Sequence, residues 1–178
     1  DFTSGGGSQN ILVTAEEVIP YLLKVAEAQK EVIWKYNCYE KLAELYRMQG
    51  DVEKAEETFL IAAQGFDKEN QGFRAAEVNG SLIEMYLETG EVEKALTLVE
   101  QSMQKYADQR RGEFLSQKGD AYFQLGDYAK AEQSYRETLV QVEKEWEDFQ
   151  RLISDKESKI NATLQDQPGY RHSKSRLD

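Results

Sequence analysis

The side chains that could carry chemistry are few in kind. The chain has one cysteine, Cys38, one histidine, His172, and 33 carboxylates among its 178 residues. General acid–base or nucleophilic catalysis needs a base within reach of a nucleophile or of a water. His172 sits in the polar stretch YRHSKSRLD, far from any hydrophobic pattern, so no catalytic residue is expected. A lone cysteine cannot close an intramolecular disulfide or supply a multi-cysteine metal site, and Cys38 reads as a small core residue. The carboxylates fall in runs such as Glu91-Val92-Glu93-Lys94, the pattern of a solvated helix face rather than of a paired catalytic dyad. The glycine run at 5–7 precedes no lysine and follows no strand, so it cradles no phosphate and reads as linker. No metal and no cofactor is implied. Two glycosylation-type triplets begin at Asn79 and Asn161, and Asn79 falls where a packed helix position is expected.

What these residues hang on is a helical chain. Forty per cent of it is apolar, 31% is charged, and there are two prolines, a composition that suits one globular, helix-rich domain. No stretch reaches the roughly 18 apolar residues that span a bilayer, so direct membrane insertion is not expected. A net charge of -11 disfavours nucleic acid and anionic lipid, which are held by clustered Lys and Arg, and favours a basic or mixed-charge protein or peptide partner. The chain opens on Asp1 and a Gly/Ser run, as a processed fragment would, and with no leader in view the cytoplasm is the expected location.

One segment recurs. KLAELYRMQGDVEKAEETF (41–59), SLIEMYLETGEVEKALTLV (81–99) and QKGDAYFQLGDYAKAEQSY (117–135) align without a gap. Tyr46, Tyr86 and Tyr122 stand four residues before Gly50, Gly90 and Gly126. An acidic residue follows each glycine, and Ala55, Ala95 and Ala131 recur in register. Apolar residues step by three and four on both sides of each glycine, so each unit reads as two amphipathic helices joined at a tight turn. The glycine takes the left-handed conformation that ends the first helix, and Asp51, Glu91 or Asp127 starts the second near its positive dipole end.

These residues resemble the tetratricopeptide repeat. Leu42, Ala43, Tyr46, Gly50, Ala55, Phe59 and Ala62 fit the family pattern in the first unit. Leu82, Tyr86, Gly90 and Ala95 fit it in the second, and Gly119, Tyr122, Gly126, Ala131 and Tyr135 in the third. The departures are a missing proline at the unit ends, Ile83 in place of a small residue, Lys118 in place of an apolar one, and glycine-to-glycine steps of 40 and 36 residues, longer than the family's usual unit. The resemblance implies an all-α fold, antiparallel helix-turn-helix repeats stacked in a right-handed superhelix, with about three repeats and a long carboxyl-terminal helix.

The expected organisation is a flexible linker at 1–13, a repeat domain at 14–165 and a disordered polar tail at 166–178. Thr14 and Glu17 form a candidate capping box for a first helix ending near residue 29, with Pro20 either kinking it or moving its start to Ile19. Turns are expected at Gly50, near 68–72, at Gly90, near 108–112 and at Gly126. From Tyr128 no Gly or Pro intervenes before Pro168, and Tyr135, Leu139, Val142, Trp146, Phe149, Ile153 and Ile160 form a stripe. That predicts one helix to about Gln165, roughly 57 Å long. Its far half lacks an evident cover. Lys156 interrupts the stripe and weighs against a long self-coil, leaving Ile153 and Ile160 for a partner or a neighbouring copy, the route by which the chain would self-associate. Trp34 and Trp146 are expected in the core.

In the family that the repeats resemble, the first helix of each unit lines the binding groove. Counting back from the turn glycines places Asn37, Glu40, Glu44, Arg47 and Met48 there in the first unit, Glu77, Gly80, Glu84, Leu87 and Glu88 in the second, and Glu113, Ser116, Asp120, Phe123 and Gln124 in the third. Seven are carboxylates and one is basic. The sign is wrong for clamping the acidic tails of heat-shock chaperones, which some members of that family do. It suits a peptide or helix carrying Lys or Arg, with Glu40, Glu44, Glu84, Glu88 and Asp120 supplying charge, Arg47 the one cation, and Met48, Leu87 and Phe123 the apolar contact. The expected function is a non-catalytic scaffold or adaptor. The alternative is a small acidic chaperone that shields a hydrophobic segment of a client.

Overall fold

In the computed structural model, residues 7–28, 30–106 and 109–165 are described, with side chains from 17 to 160 in those ranges. The described residues form seven helices and no strand: α1 (Gly7–Ala28), α2 (Val32–Gln49), α3 (Val52–Lys68), α4 (Gly72–Glu88), α5 (Val92–Lys105), α6 (Arg111–Gln124) and α7 (Tyr128–Gln165). The chain divides into two compact units, Asp1–Thr138 and Leu139–Asp178. In the first, α1 to α6 pack in consecutive pairs, from α1 on α2 to α5 on α6, and α4 also packs on α6. That is the all-helical repeat architecture the recurrent segments imply.

Six turns share one backbone device at nearly even spacing. Gly50, Gly90 and Gly126 have φ of 79°, 78° and 77° within the units, while Lys30, Asn70 and Arg110 have φ of 57°, 56° and 54° between them. At the glycines the next residue's N–H bonds back to the repeated tyrosine's carbonyl: Asp51 to Tyr46 at 2.9 Å, Glu91 to Tyr86 at 2.8 Å, Asp127 to Tyr122 at 3.0 Å. This satisfies a carbonyl that the ending helix leaves open. The shorter step from Gly90 to Gly126 is absorbed by α5 and α6, 14 residues each against 17 or 18 in α2, α3 and α4.

The core runs through Phe59, Phe66, Val78, Leu82, Ile83, Met85, Val99 and Phe114, all buried. Ala55, Ala95 and Ala131 are buried as well, as a residue at a close helix crossing must be. Ile83, a departure from the family pattern, is fully enclosed. Lys118, another, directs its ammonium to Glu100 at 3.8 Å and lies over the Tyr122 ring, so its charge stays paired at a half-buried position. Cys38 is buried, as is Asn79, whose amide donates to Ser102 Oγ at 3.1 Å.

Two expectations at the margins change. The first helix is already formed at Gly7 and continues through Thr14 and Pro20, so it starts neither at Thr14 nor at Ile19. Trp34 and Trp146 are not core: they are 56% and 57% exposed. Apolar periodicity marks a helix face, and it does not say whether a neighbour covers that face. Helix α7 is described as far as Gln165, and the polar tail expected at 166–178, His172 included, lies outside the described residues.

Candidate functional site

At each intra-unit turn a lysine completes a small electrostatic corner. Lys54, Lys94 and Lys130 pair with Asp51, Glu91 and Asp127 at 2.6, 2.6 and 2.7 Å, and lie 5.3, 5.1 and 5.1 Å from the ring centres of Tyr46, Tyr86 and Tyr122. Asp51 and Asp127 also accept from the backbone N–H of Lys54 and Lys130. The lysine's own hydrogen bond and the backbone donor hold both carboxyls below their ordinary range. The three lysines repeat in register one residue before the repeated alanine, a signal the sequence carried beside the tyrosine and the glycine. The corner fixes the exit of α2, α4 and α6, and hence the face that those first helices share.

That face is knitted by arginines. Arg47 on α2 reaches across to Glu88 on α4 with two hydrogen bonds, 2.9 Å from Nε and 2.6 Å from an Nη, and also approaches Glu84 and Glu44. Its pKa is raised, first by the bond to Glu88, and Glu88 is correspondingly lowered. Arg74 on α4 reaches back to α2, donating to Asn37 at 2.9 Å and Glu40 at 2.6 Å while pairing with Glu77 on its own helix. Arg110, at the start of α6, pairs with Glu113 and approaches Glu77. Gln117 and Gln124 on α6 donate to the carbonyls of Gly80 and Leu87 on α4 at 3.0 and 3.2 Å.

The positions found by counting back from the glycines, Met48 and Ser116 apart, therefore meet between the first helices, but the electrostatics differ from the expectation of one cation among seven carboxylates. Three arginines serve the face. Arg74 and Arg110 fell outside the counted positions, although each stands three residues before a counted glutamate, the spacing of neighbours on a helix. Glu40 is 5% exposed and held by Arg74, so its carboxylate is committed to joining α2 to α4. Burial pushes the Glu113 carboxyl up, and Arg110 offsets only part of that.

An open cleft of about 320 Å³ remains between α4 and α6, lined by Glu84, Leu87, Glu88, Asp120, Phe123 and Gln124. Five of the nine residues singled out from sequence line it. Leu87 forms its nearly buried floor, and Phe123, 58% exposed, rests edge-on against Tyr128 at 5.5 Å between ring centres. Asp120 accepts from Tyr135 Oη at 2.8 Å, and burial, then this bond, raise the phenol to about 12. On α2, Glu44 and Arg47 form the ion-pair bridge towards this cleft, and Met48 stands 69% exposed at the helix end. Among the described residues no group of His, Cys, Asp and Glu is arranged to hold a metal ion. The cleft sets carboxylates beside an apolar floor.

A family model for a tetratricopeptide repeat-like domain matches residues 24–162. A search of curated proteins found no match.

Proposed function

Because the chain belongs to the tetratricopeptide repeat-like family, a family of protein–protein interaction modules, we propose that it is a non-catalytic adaptor that holds a peptide or helix of its partner in the cleft between α4 and α6. The bound segment carries Lys or Arg beside an apolar anchor. The observation that carries this reading is the composition of the cleft: Glu84, Glu88 and Asp120 surround Leu87 and Phe123. Of these charges Glu88 is held by the Arg47 guanidinium and Asp120 by the Tyr135 hydroxyl, while Glu84 lies farther from Arg47, at 3.7 Å. A cation entering there gains Coulomb attraction, and its apolar neighbour covers the exposed Phe123 ring. A chaperone shielding a hydrophobic segment needs a larger apolar surface than one leucine floor and one phenylalanine supply, so the adaptor reading is preferred.

Binding of fluorescein-labelled helical peptides, matched in apolar anchors and differing only in Lys or Glu flanks, tests it. The Lys series binds tighter, and more so at low salt. Glu84→Lys with Asp120→Lys weakens it several-fold and flattens the salt dependence, and Phe123→Ala weakens both series. Equal affinity for the two series, or no change on charge reversal in a variant that keeps its helical spectrum, would overturn the reading.

A further inference from the structure

The segment Leu139–Ile160 of α7 carries a seam without a cover. From Val142 to Ile160 every described side chain is exposed. Leu139, Val142, Trp146, Phe149, Ile153 and Ile160 follow alternating steps of three and four, with Lys156 in the one remaining place of that series. Such a stripe, kept over about three heptads, is the seam of a two-helix coil. Trp146 and Phe149 stack along it with ring centres 5.8 Å apart.

We propose that this seam pairs with the same seam of a second copy of the chain, and that the two helices run antiparallel. In a parallel pair each seam position meets itself, so Lys156 would face the partner's Lys156 inside an apolar layer. Like charges there repel, and neither is solvated. An antiparallel pair centred on Arg151 matches positions equally far to either side. Val142 meets the partner's Ile160, Phe149 meets the partner's Ile153, and Trp146 meets the partner's Lys156, each contact occurring twice by symmetry. The lysine stem then covers apolar surface while its ammonium lies over an indole face, the most favourable ring for a cation.

The charges flanking the seam select the same direction. Residues 139–150 hold four carboxylates and one lysine, a net of -3, whereas residues 151–160 hold Arg151, Lys156 and Lys159 against Asp155 and Glu157, a net of +1. Antiparallel pairing lays the acidic half on the basic half. Parallel pairing lays acid on acid.

Sedimentation equilibrium of the full chain tests the association. The mass rises from 20.5 kDa towards twice that value with a dissociation constant in the micromolar range, about 1–100 µM. Lys156→Glu and Trp146→Ala each weaken it by about tenfold or more with helical spectrum and thermal midpoint unchanged, since both side chains are exposed. Direction is read by oxidation in a Cys38→Ala background. The Val142→Cys chain and the Ile160→Cys chain each stay uncrosslinked alone and give a disulfide-linked pair when mixed. A single-chain mass at about 100 µM would overturn the proposal and assign the seam to a different partner. So would association insensitive to both seam variants, which would move the contact elsewhere. Homotypic crosslinks in either chain alone would replace the antiparallel pair with a parallel one.

Discussion

Residues 32–138 and residues 139–160 are both helical and both carry apolar side chains at helical spacing, yet they spend them differently. In the first region Phe59, Phe66 and Phe114 are fully enclosed, and the charges beside them are drawn into bonds between helices, as with Arg74 and Glu40. In the second Trp146, Phe149 and Ile153 stand in solvent, and an ion pair such as Arg151 to Asp148 at 3.2 Å ties a helix only to itself. Amphipathic periodicity makes a helix capable of being covered. What turns that into stability is a second helix delivered by a short turn, and the turns stop at Gly126.

The sharpest way to break this contrast is to cut the same ring from both regions. Phe66 lies edge-on to Tyr36 with ring centres 5.8 Å apart and under the Arg74 guanidinium. Phe66→Ala costs about 3–5 kcal/mol in chemical denaturation. Phe149→Ala, at dilutions where the chain is monomeric, stays within about 0.5 kcal/mol of the parent. Equal losses would mean that the exposed stripe contributes to the fold and that the two regions are one.

A smaller effect is expected from enlarging a buried alanine at a helix crossing. Ala95→Leu overpacks the seam beside α4 and costs about 1–3 kcal/mol, lowering the thermal midpoint. An unchanged midpoint would show that the alanine register does not mark close approach.

The mildest test uses pH. Tyr106 is buried, with its hydroxyl donating to Asp67 at 2.9 Å, and these two causes, burial first, raise it to about 12. Tyr135 is raised to about 12 as well. A raised folded pKa gives a contribution that is complete below the ordinary value of 10 and is lost as pH climbs through about 12. Residues 139–160 contain no tyrosine, so this alkaline loss belongs to the array. The Tyr106→Phe, Tyr135→Phe double variant should show a flatter fall in thermal midpoint between pH 10 and 12. A fall as steep as the parent's would remove these phenols from the account.

The features legible in the sequence were local ones. Gly50, Gly90 and Gly126 announced their turns because only glycine adopts positive φ freely, and the tyrosine and alanine in register set the helices between them. The turns at Lys30, Asn70 and Arg110 were placed only to within a few residues, because a non-glycine in the left-handed region leaves a weak mark on composition. Trp34 and Trp146 misled, since burial depends on a neighbour and periodicity names none. On the candidate site, the counted positions share one face of the array because they inherit the helix geometry. Its net charge did not follow, because Arg74 and Arg110 reach it from a turn away on long side chains.

The corner at each glycine has a consequence for how such a chain can change length. Asp51-Val52-Glu53-Lys54-Ala55 and Glu91-Val92-Glu93-Lys94-Ala95 are nearly the same five residues, and each follows a glycine with φ near +78°. Deleting residues 51–90 would join Gly50 to Glu91 and rebuild the tyrosine, glycine, acid and lysine corner from Tyr46 and Lys94, with no new loop to invent. Duplicating the same stretch would do likewise. Array length is thus free to vary in whole periods of 40 residues, each adding one nearest-neighbour interface, and unequal crossing-over within the coding sequence has a ready-made seam at which to act.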